Sequence, residues 1–246
     1  MSESVLQPSP LDSARFGRRV YRAALRTIDA PALADELRRQ RVDTLILRVP
    51  AEAVGGVATL HEVGLHPIVA DTHVEYEVSL DMAAIAPSSI ALCEVAAGDS
   101  EALRAVARSV FDGYSSHYNA NPLLPAAAIA DGYADWAARF SHAPQTPTWF
   151  VKSRGEIAGF SCCRVDGDQA RGVLNGILPA ARGAGHYRAM LHAMLERFRA
   201  ANLRTFVIAT QVHNIAVQRV WAEAGLRLKH AENTIHVNCD FGGLSA

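Results

Sequence analysis

The sequence lacks most of the features that narrow a function quickly. Its charges nearly cancel, with 24 lysines and arginines against 25 aspartates and glutamates and a formal net charge of −1. A nucleic-acid binder needs a basic surface to displace counterions, so this balance gives no such footprint. Apolar stretches are broken by charges or turns before the ~20 residues that cross a bilayer, and no membrane association is expected. Met1 to Asp12 has no basic run leading into an apolar core, so it does not read as a signal peptide. Ser2, Ser4, Pro8 and Pro10 make residues 1–12 a disordered lead instead. The four cysteines, Cys93, Cys162, Cys163 and Cys239, form no C-x-x-C pair, which points to reduced thiols in a cytoplasmic protein. None of the ten histidines pairs with an acid or cysteine at metal-ligand spacing, so no metal is expected. Gly159-Phe160-Ser161-Cys162 is not a G-x-S-x-G elbow, and a hydrolase of that type is unsupported. There is no internal repeat.

What remains is ordinary globular material: 246 residues, 50% hydrophobic and 20% charged, enough for one large domain or two small ones. The periodicity divides it in two. The first half reads as a helix over 31–41 behind Asp29, a half-buried strand over 42–49, a helix from Ala51 to Val63 stopped by Gly64, and a strand over 73–80. It has no glycine loop and is expected to bind no cofactor. Pro87-Ser88-Ser89 marks a boundary, dividing the chain into 1–87 and 88–246. Beyond it come a strand from Ile90, a helix over 100–111 capped by Ser100, a loop at 117–122 and a helix over 125–140. A meander of three strands over 149–152, 157–165 and 169–178 follows.

The richest segment is 177–188, Ile-Leu-Pro-Ala-Ala-Arg-Gly-Ala-Gly-His-Tyr-Arg: a strand end, a glycine turn and the opening of a helix. Such a turn aims unpaired N–H groups and the positive end of a helix dipole at one spot, which suits a phosphate. The segment resembles the pyrophosphate loop of the GCN5-related N-acetyltransferase (GNAT) superfamily, Q/R-x-x-G-x-G/A after an apolar-x-Pro element. Arg182, Gly185 and Tyr187 stand at its defining positions behind Ile177-Leu178-Pro179, with Tyr187 in place of the usual Gly or Ala. Downstream, the strand 205–211, Asn214-Ile215-Ala216 and Gly225-Leu226 resemble the superfamily's N-x-x-A…G-F/L element. The likeness covers 90–240. Within it, Ala209-Thr210-Gln211-x-x-Asn214-x-Ala216 is similar to dTDP-fucosamine acetyltransferase-type members, which also carry an extra α/β half-domain in front of the core.

The resemblance implies an α/β (α+β) acyltransferase fold with a mixed, mostly antiparallel twisted sheet, preceded by a degenerate N-terminal α/β half-domain. It implies acetyl-CoA as co-substrate and N-acetylation of a small-molecule amine, an amino sugar of a sugar nucleotide above others. An amino acid or antibiotic-like amine, or a non-catalytic acyl-CoA-binding module, stays open, as does a homodimer. Ile177, Leu178, Arg182, Gly183, Ala184, Gly185, His186, Tyr187 and Asn214 would hold the cofactor, with Tyr187 offering its N–H and turning its ring away.

Amine acylation needs a held thioester, a base for the amine and a donor for the leaving thiolate. The tyrosine that usually protonates the thiolate falls at Trp221, whose N–H donates but is no useful acid. Packing within its helix is the alternative role. The usual glutamate base is missing too. Asn175 is the hydrogen-bonding side chain left on that strand, able to orient an amine or simply to be satisfied locally. Histidine is then the candidate base. His236 ranks first, since Thr234 shares its face of the terminal strand. His117, in the lid loop, and His186 follow, with packing or surface roles as the alternative for each. His213 and His230 read as loop and surface residues.

Overall fold

The computed structural model describes residues 5–141, 143 and 145–239. The chain begins with a short strand, Gln7–Pro8 (β1), and a helix, Pro10–Phe16 (α1), where the sequence suggested disorder. Pro10 is a helix-starting residue in this setting, its fixed φ suiting the first turn, and Leu6 and Phe16 are buried. Residues 1–4 of that lead lie outside the described residues. Next come Val20–Ala24 (β2), Ala30–Arg39 (α2) and Thr44–Pro50 (β3). Asp29 caps α2 as expected, its carboxylate accepting from the Ala32 N–H at 3.1 Å. Residues 51–58 wind as a 3-10 helix rather than an α-helix, and only Thr59–Glu62 (α3) is α-helical. The Gly55-Gly56 pair disfavours a regular helix there.

The remaining elements are His66–Ser79 (β4), Ala91–Glu94 (β5), Ser100–Phe111 (α4), Ala127–Phe140 (α5), Thr148–Ser153 (β6), Glu156–Asp166 (β7) and Gln169–Ile177 (β8). His186–Ala200 (α6), Thr205–Gln211 (β9), Ile215–Glu223 (α7) and Arg227–Asn238 (β10) complete the fold. Ser100 is the first residue of α4 and not its cap. Asp99 holds the cap position, and its side chain accepts from the Ala96 N–H.

The chain forms two compact units, and they do not divide at residue 87. The first takes residues up to His73, Ser115–Ala128 and those from His230. The second takes Val74–Tyr114 and Ile129–Lys229. β4 and β10 each contribute to both, because a long strand can serve two cores in succession.

In the first unit the strands run in the order β1-β2-β3-β10. β2 and β3 are parallel and joined through α2, a βαβ arrangement, while β10 lies antiparallel to β3. One face carries Leu45, Leu47, Val49, Ile235 and Val237 into a core shared with Leu33 and Leu37 of α2 and Leu60 of α3. In the second unit the order is β4-β9-β8-β7-β6-β5. β5 to β8 form an antiparallel meander, and β8 and β9 are parallel. Its core gathers Trp149, Val151, Phe206, Trp221 and the inner face of α6, including Met190, Met194 and Leu195. Both units thus carry mixed α/β architecture with mostly antiparallel sheet.

Candidate active site

In the second unit a slot opens between two parallel strands. β8 and β9 pair from Gln169↔Thr205 to Gly172↔Ile208, and the register ends there. β8 continues to Ile177 and β9 to Gln211. The cause lies in β8, where Cys162 of β7 faces Leu174 but Cys163 faces Gly172, so Val173 bulges. A bulge twists its strand, and here it turns β8 away from β9. The freed edge keeps backbone groups that an extended, amide-bearing ligand can pair with. Asn175 stands on this stretch. Its carbonyl accepts from Ser161 Oγ at 2.6 Å, which leaves the amide N–H₂ to point elsewhere.

At the end of β8 the chain enters the glycine loop through a 3-10 turn, Pro179–Ala181. Gly183 (φ 81°) and Gly185 (φ 77°) are both left-handed, and a side chain on either would meet no atom within 4 Å. The turn therefore needs glycine for its backbone angles, and the space beyond is open. Gly185 caps α6, so His186, Tyr187 and Arg188 present first-turn N–H groups with no partner inside the helix. Arg182 is fixed by two carbonyls, Ile177 O at 3.2 Å and Val110 O at 2.9 Å, which sets its charge beside the loop. Ile177 itself is buried, while Ala184 and Leu178 flank the turn. A loop of this form fits a pyrophosphate without a lysine.

The tyrosine that departs from the loop pattern packs inward. Tyr187 lies against the core, and its hydroxyl accepts from Trp221 Nε1 at 3.1 Å. Burial raises the Tyr187 phenol above its ordinary value. Trp221 is 1% exposed and meets Tyr76 edge-on, with ring centroids 5.4 Å apart. Its one N–H is already committed to Tyr187. Asn214 caps α7 by position, but its side chain donates to Thr210 Oγ1 at 3.1 Å rather than to the helix. Tyr114 donates to Gln211 at the end of β9. A cavity of about 450 Å³ lined by Glu94, Trp149, Arg197 and Phe198 sits at the opposite end of α6, away from the loop.

The first unit brings together two of the sequence candidates. His117 Nδ1 and His236 Nε2 lie 2.8 Å apart, in a contact that only one proton can bridge. His236 is fully buried and His117 nearly so. Burial, followed by the Arg22 charge, lowers His236 to about 4, although Asp12 opposes the shift. Burial, then His236, Arg22, Arg48 and His73, hold His117 well below its usual value. Both rings are therefore neutral at pH 7. Among the described residues His236 Nδ1 has no partner, nor has Thr234 Oγ1. The other candidates stay apart: His213 is exposed, and His230 contacts Glu232 at 3.2 Å on the surface.

The sequence reading missed the acid next to them. Asp12, 2% exposed, accepts from Ser9 at 2.7 Å, from Arg22 at 2.6 Å and from Tyr118 at 2.9 Å. Burial alone would raise its carboxyl, but Arg22 and these donors overcome that and hold it below the usual range. Among the described residues no group of three or more potential metal ligands occurs, and no helix is long and apolar enough to cross a membrane. All four thiols are free, and burial drives that of Cys163 up to about 12.

Residues 111–226 match the model of the Acetyltransferase (GNAT) family, a match that supports an N-acyltransferase enzyme. No curated protein matches the chain. Among solved structures it is similar to a GCN5-related N-acetyltransferase from Sphaerobacter thermophilus, with TM-score 0.63 and 13% identity over 95% of this chain and 75% of that one. A functionally unknown conserved protein from Staphylococcus epidermidis superposes with TM-score 0.62 and 11% identity, over 97% and 93% of the two chains. A GCN5-related N-acetyltransferase from Kribbella flavida gives 0.56 and 15%, over 92% and 82%. At such identities these likenesses establish the fold.

Proposed function

We propose that this chain, an N-acyltransferase by its GNAT domain over 111–226, moves the acetyl group of acetyl-CoA onto the amine of a small molecule, an amino sugar carried by a nucleotide. The observation that carries the reading is the pairing of a parted strand edge with an open glycine loop at its end. Acetyl-CoA, when bound, supplies an activated acetyl thioester. Arg182 and the N–H groups of Gly183, Ala184, Gly185, His186 and Tyr187 would hold its pyrophosphate, and Ile177 and Leu178 its amide-bearing arm, with Asn214 at the far side. The dTDP-fucosamine acetyltransferase-type assignment rests on Ala209-Thr210-Gln211 and Asn214. The cytoplasmic setting rests on four free thiols.

His236 is the base in this reading. It is neutral at pH 7, and in the tautomer whose Nε2–H donates to His117 Nδ1, its own Nδ1 is the atom able to take a proton from the amine. Asn175, its carbonyl held by Ser161, orients the acceptor through its N–H₂. Trp221 is not the acid, because an indole N–H does not ionise usefully and this one is bonded to Tyr187. Thiol release from acetyl-CoA, measured with nucleotide-linked amino sugars, amino acids and aminoglycosides as acceptors, tests the proposal. Saturable release with the nucleotide-linked amino sugars is expected. Release with amino acids alone would overturn the sugar assignment, and release with no amine would overturn acyl transfer.

A further inference from the structure

The sheet of the first unit has one apolar face, and its other face is polar although it too is largely covered. The register sets Arg22 beside Ile46 and Ile46 beside His236, and in the next row Ala24 beside Arg48 and Arg48 beside Thr234. Alternation puts all of these on the side opposite Leu45, Leu47, Ile235 and Val237. Polar groups are seldom covered in this way unless hydrogen-bonded, so each one should have a partner.

Some do. Asp12, Arg22 and Tyr118 form a closed set, and Thr44 and Asn238 bond each other at 3.1 Å. Three do not. Thr234 Oγ1 and His236 Nδ1 have no partner among the described residues, although Thr234 is 1% exposed and His236 0%. Arg48 makes a single loose ion pair, 3.9 Å to Glu232, and its side chain keeps 35% of its exposure. A guanidinium offers five donors in a planar fork, and here none has an acceptor at bonding distance among the described residues. These three groups are consecutive on the face: Arg48 at the accessible end, Thr234 directly across from it, and His236 two residues further along β10.

We infer that this face of the first unit binds the acceptor, and that the acceptor is an amine bearing an anionic oxygen group, a carboxylate or a phosphate, which Arg48 holds while the amine meets Thr234 and His236. This rests on the acyl-transfer reading for the word acceptor, but the binding site stands on the unpaired groups themselves. An anion suits Arg48 because planar oxyanions accept two parallel N–H bonds from it. A nitrogen donor suits the other end, where a hydroxyl oxygen and a ring nitrogen can both accept. A neutral amine would leave Arg48 with only its loose contact to Glu232, and a simple anion would leave Thr234 and His236 without a donor.

Calorimetry on the full chain, with glucosamine 6-phosphate, the α-amino acids, glucosamine and propionate as probes, tests this. Saturable binding is expected from glucosamine 6-phosphate or from an amino acid, which separates phosphate from carboxylate, and not from glucosamine or propionate. Arg48→Gln should weaken that binding about 10- to 100-fold, while Arg39→Gln, on the exposed side of α2, leaves it unchanged. Thr234→Val keeps the shape and removes the unpartnered hydroxyl, so it should raise the melting temperature of the free protein and yet weaken the same probe. A lowered melting temperature would mean that the hydroxyl already has a structural partner, and would overturn the inference. Failure of both glucosamine 6-phosphate and the amino acids to bind at about 10 mM would overturn it as well. Acetyl-CoA affinity, measured alongside, is the separate test of the acyl-transfer reading: its retention with no probe binding sinks only the present inference.

Discussion

The two units build their candidate sites from different material. In the second unit the site is mostly backbone: a strand edge released by a bulge at Val173, and the N–H groups of a left-handed glycine turn. In the first it is side chains, with Asp12, Arg22, Arg48, His117, Thr234 and His236 gathered from β2, β3, β10, α1 and a 3-10 turn. A backbone site tolerates changes of side chain but not added bulk or charge at the turn. A side-chain site has the opposite weakness, because each group removed strands another in a covered setting.

The largest effect is expected in the first unit. Asp12→Ala should lower unfolding stability by about 3 kcal/mol, the low end for breaking a covered pair, since Arg22 keeps some solvent contact. Urea denaturation measures it, and a loss under about 1 kcal/mol would mean that Asp12, Arg22 and Tyr118 do not hold this unit together. Next is the loop of the second unit. Gly185→Asp adds strain, bulk and a negative charge at the helix N-terminus and should abolish acetyl-CoA binding, whereas Gly185→Asn, with the same strain and no charge, should retain part of it. Equal affinities for the two variants would show that no anion sits at the loop.

His236→Ala should lower kcat/KM for the amine by roughly 10²-fold while leaving acetyl-CoA affinity unchanged. It should also remove the acidic limb of the pH profile, which the covered ring places near pH 4. A wild-type profile in the variant would make His236 a packing residue.

Stability should follow the same rings. An unfolded chain binds protons at ordinary histidines near 6.5, and the folded chain refuses them at His236 down to about 4 and at His117 well below 6.5. Between these limits the unfolded state holds more protons, so stability is complete above 6.5 and falls as the pH drops. The slope approaches about 1.4 kcal/mol per pH unit for each histidine. Asp12, with its carboxyl held low, adds a second loss only below about 4. His236→Phe should make the decline from pH 7 to 5 shallower by about 2 kcal/mol, and an unaltered decline would remove His236 from this account. The smallest effect belongs to Trp221→Phe, which loses one hydrogen bond and costs about 1 kcal/mol with turnover nearly retained. A fall of about 10²-fold or more would instead give the Trp221–Tyr187 contact a part in proton transfer.

This contrast also explains what could be read in advance. Arg182, Gly183 and Gly185 lie within four successive positions, and their spacing suggested a loop that the fold supplies. The strands of the meander, α6 and β9 were visible for the same reason, since each is set by a local period. Arg22 and Asp12 were invisible: β2 has no strong alternation, and the Ser-Pro composition around Asp12 suggested disorder where Pro10 starts a helix. Arg48 was the available hint. It interrupts a mostly apolar strand on the face it shares with Thr44 and Ile46, and that strand, expected to be half-buried, is buried on both faces from Thr44 to Leu47 and partly exposed at Arg48. His117 and His236 were each legible as candidates, but their contact, across 119 positions of chain, was not. The division into units could not follow residue 87, because the last strand described here completes the first unit.

That last point bears on synthesis. Thr44 and Asn238, bonded across β3 and β10, are 194 positions apart. Until β10 arrives, β3 is paired on one side only, by β2, and offers Leu45, Ile46, Leu47 and Val49 along an open edge. Contacts this distant are slow to form, and an open apolar edge invites pairing with other chains. The nascent protein thus passes through a long interval in which its first-made strands wait for their neighbour. During that interval the edge of β3 is open to pairing with the strand of another chain.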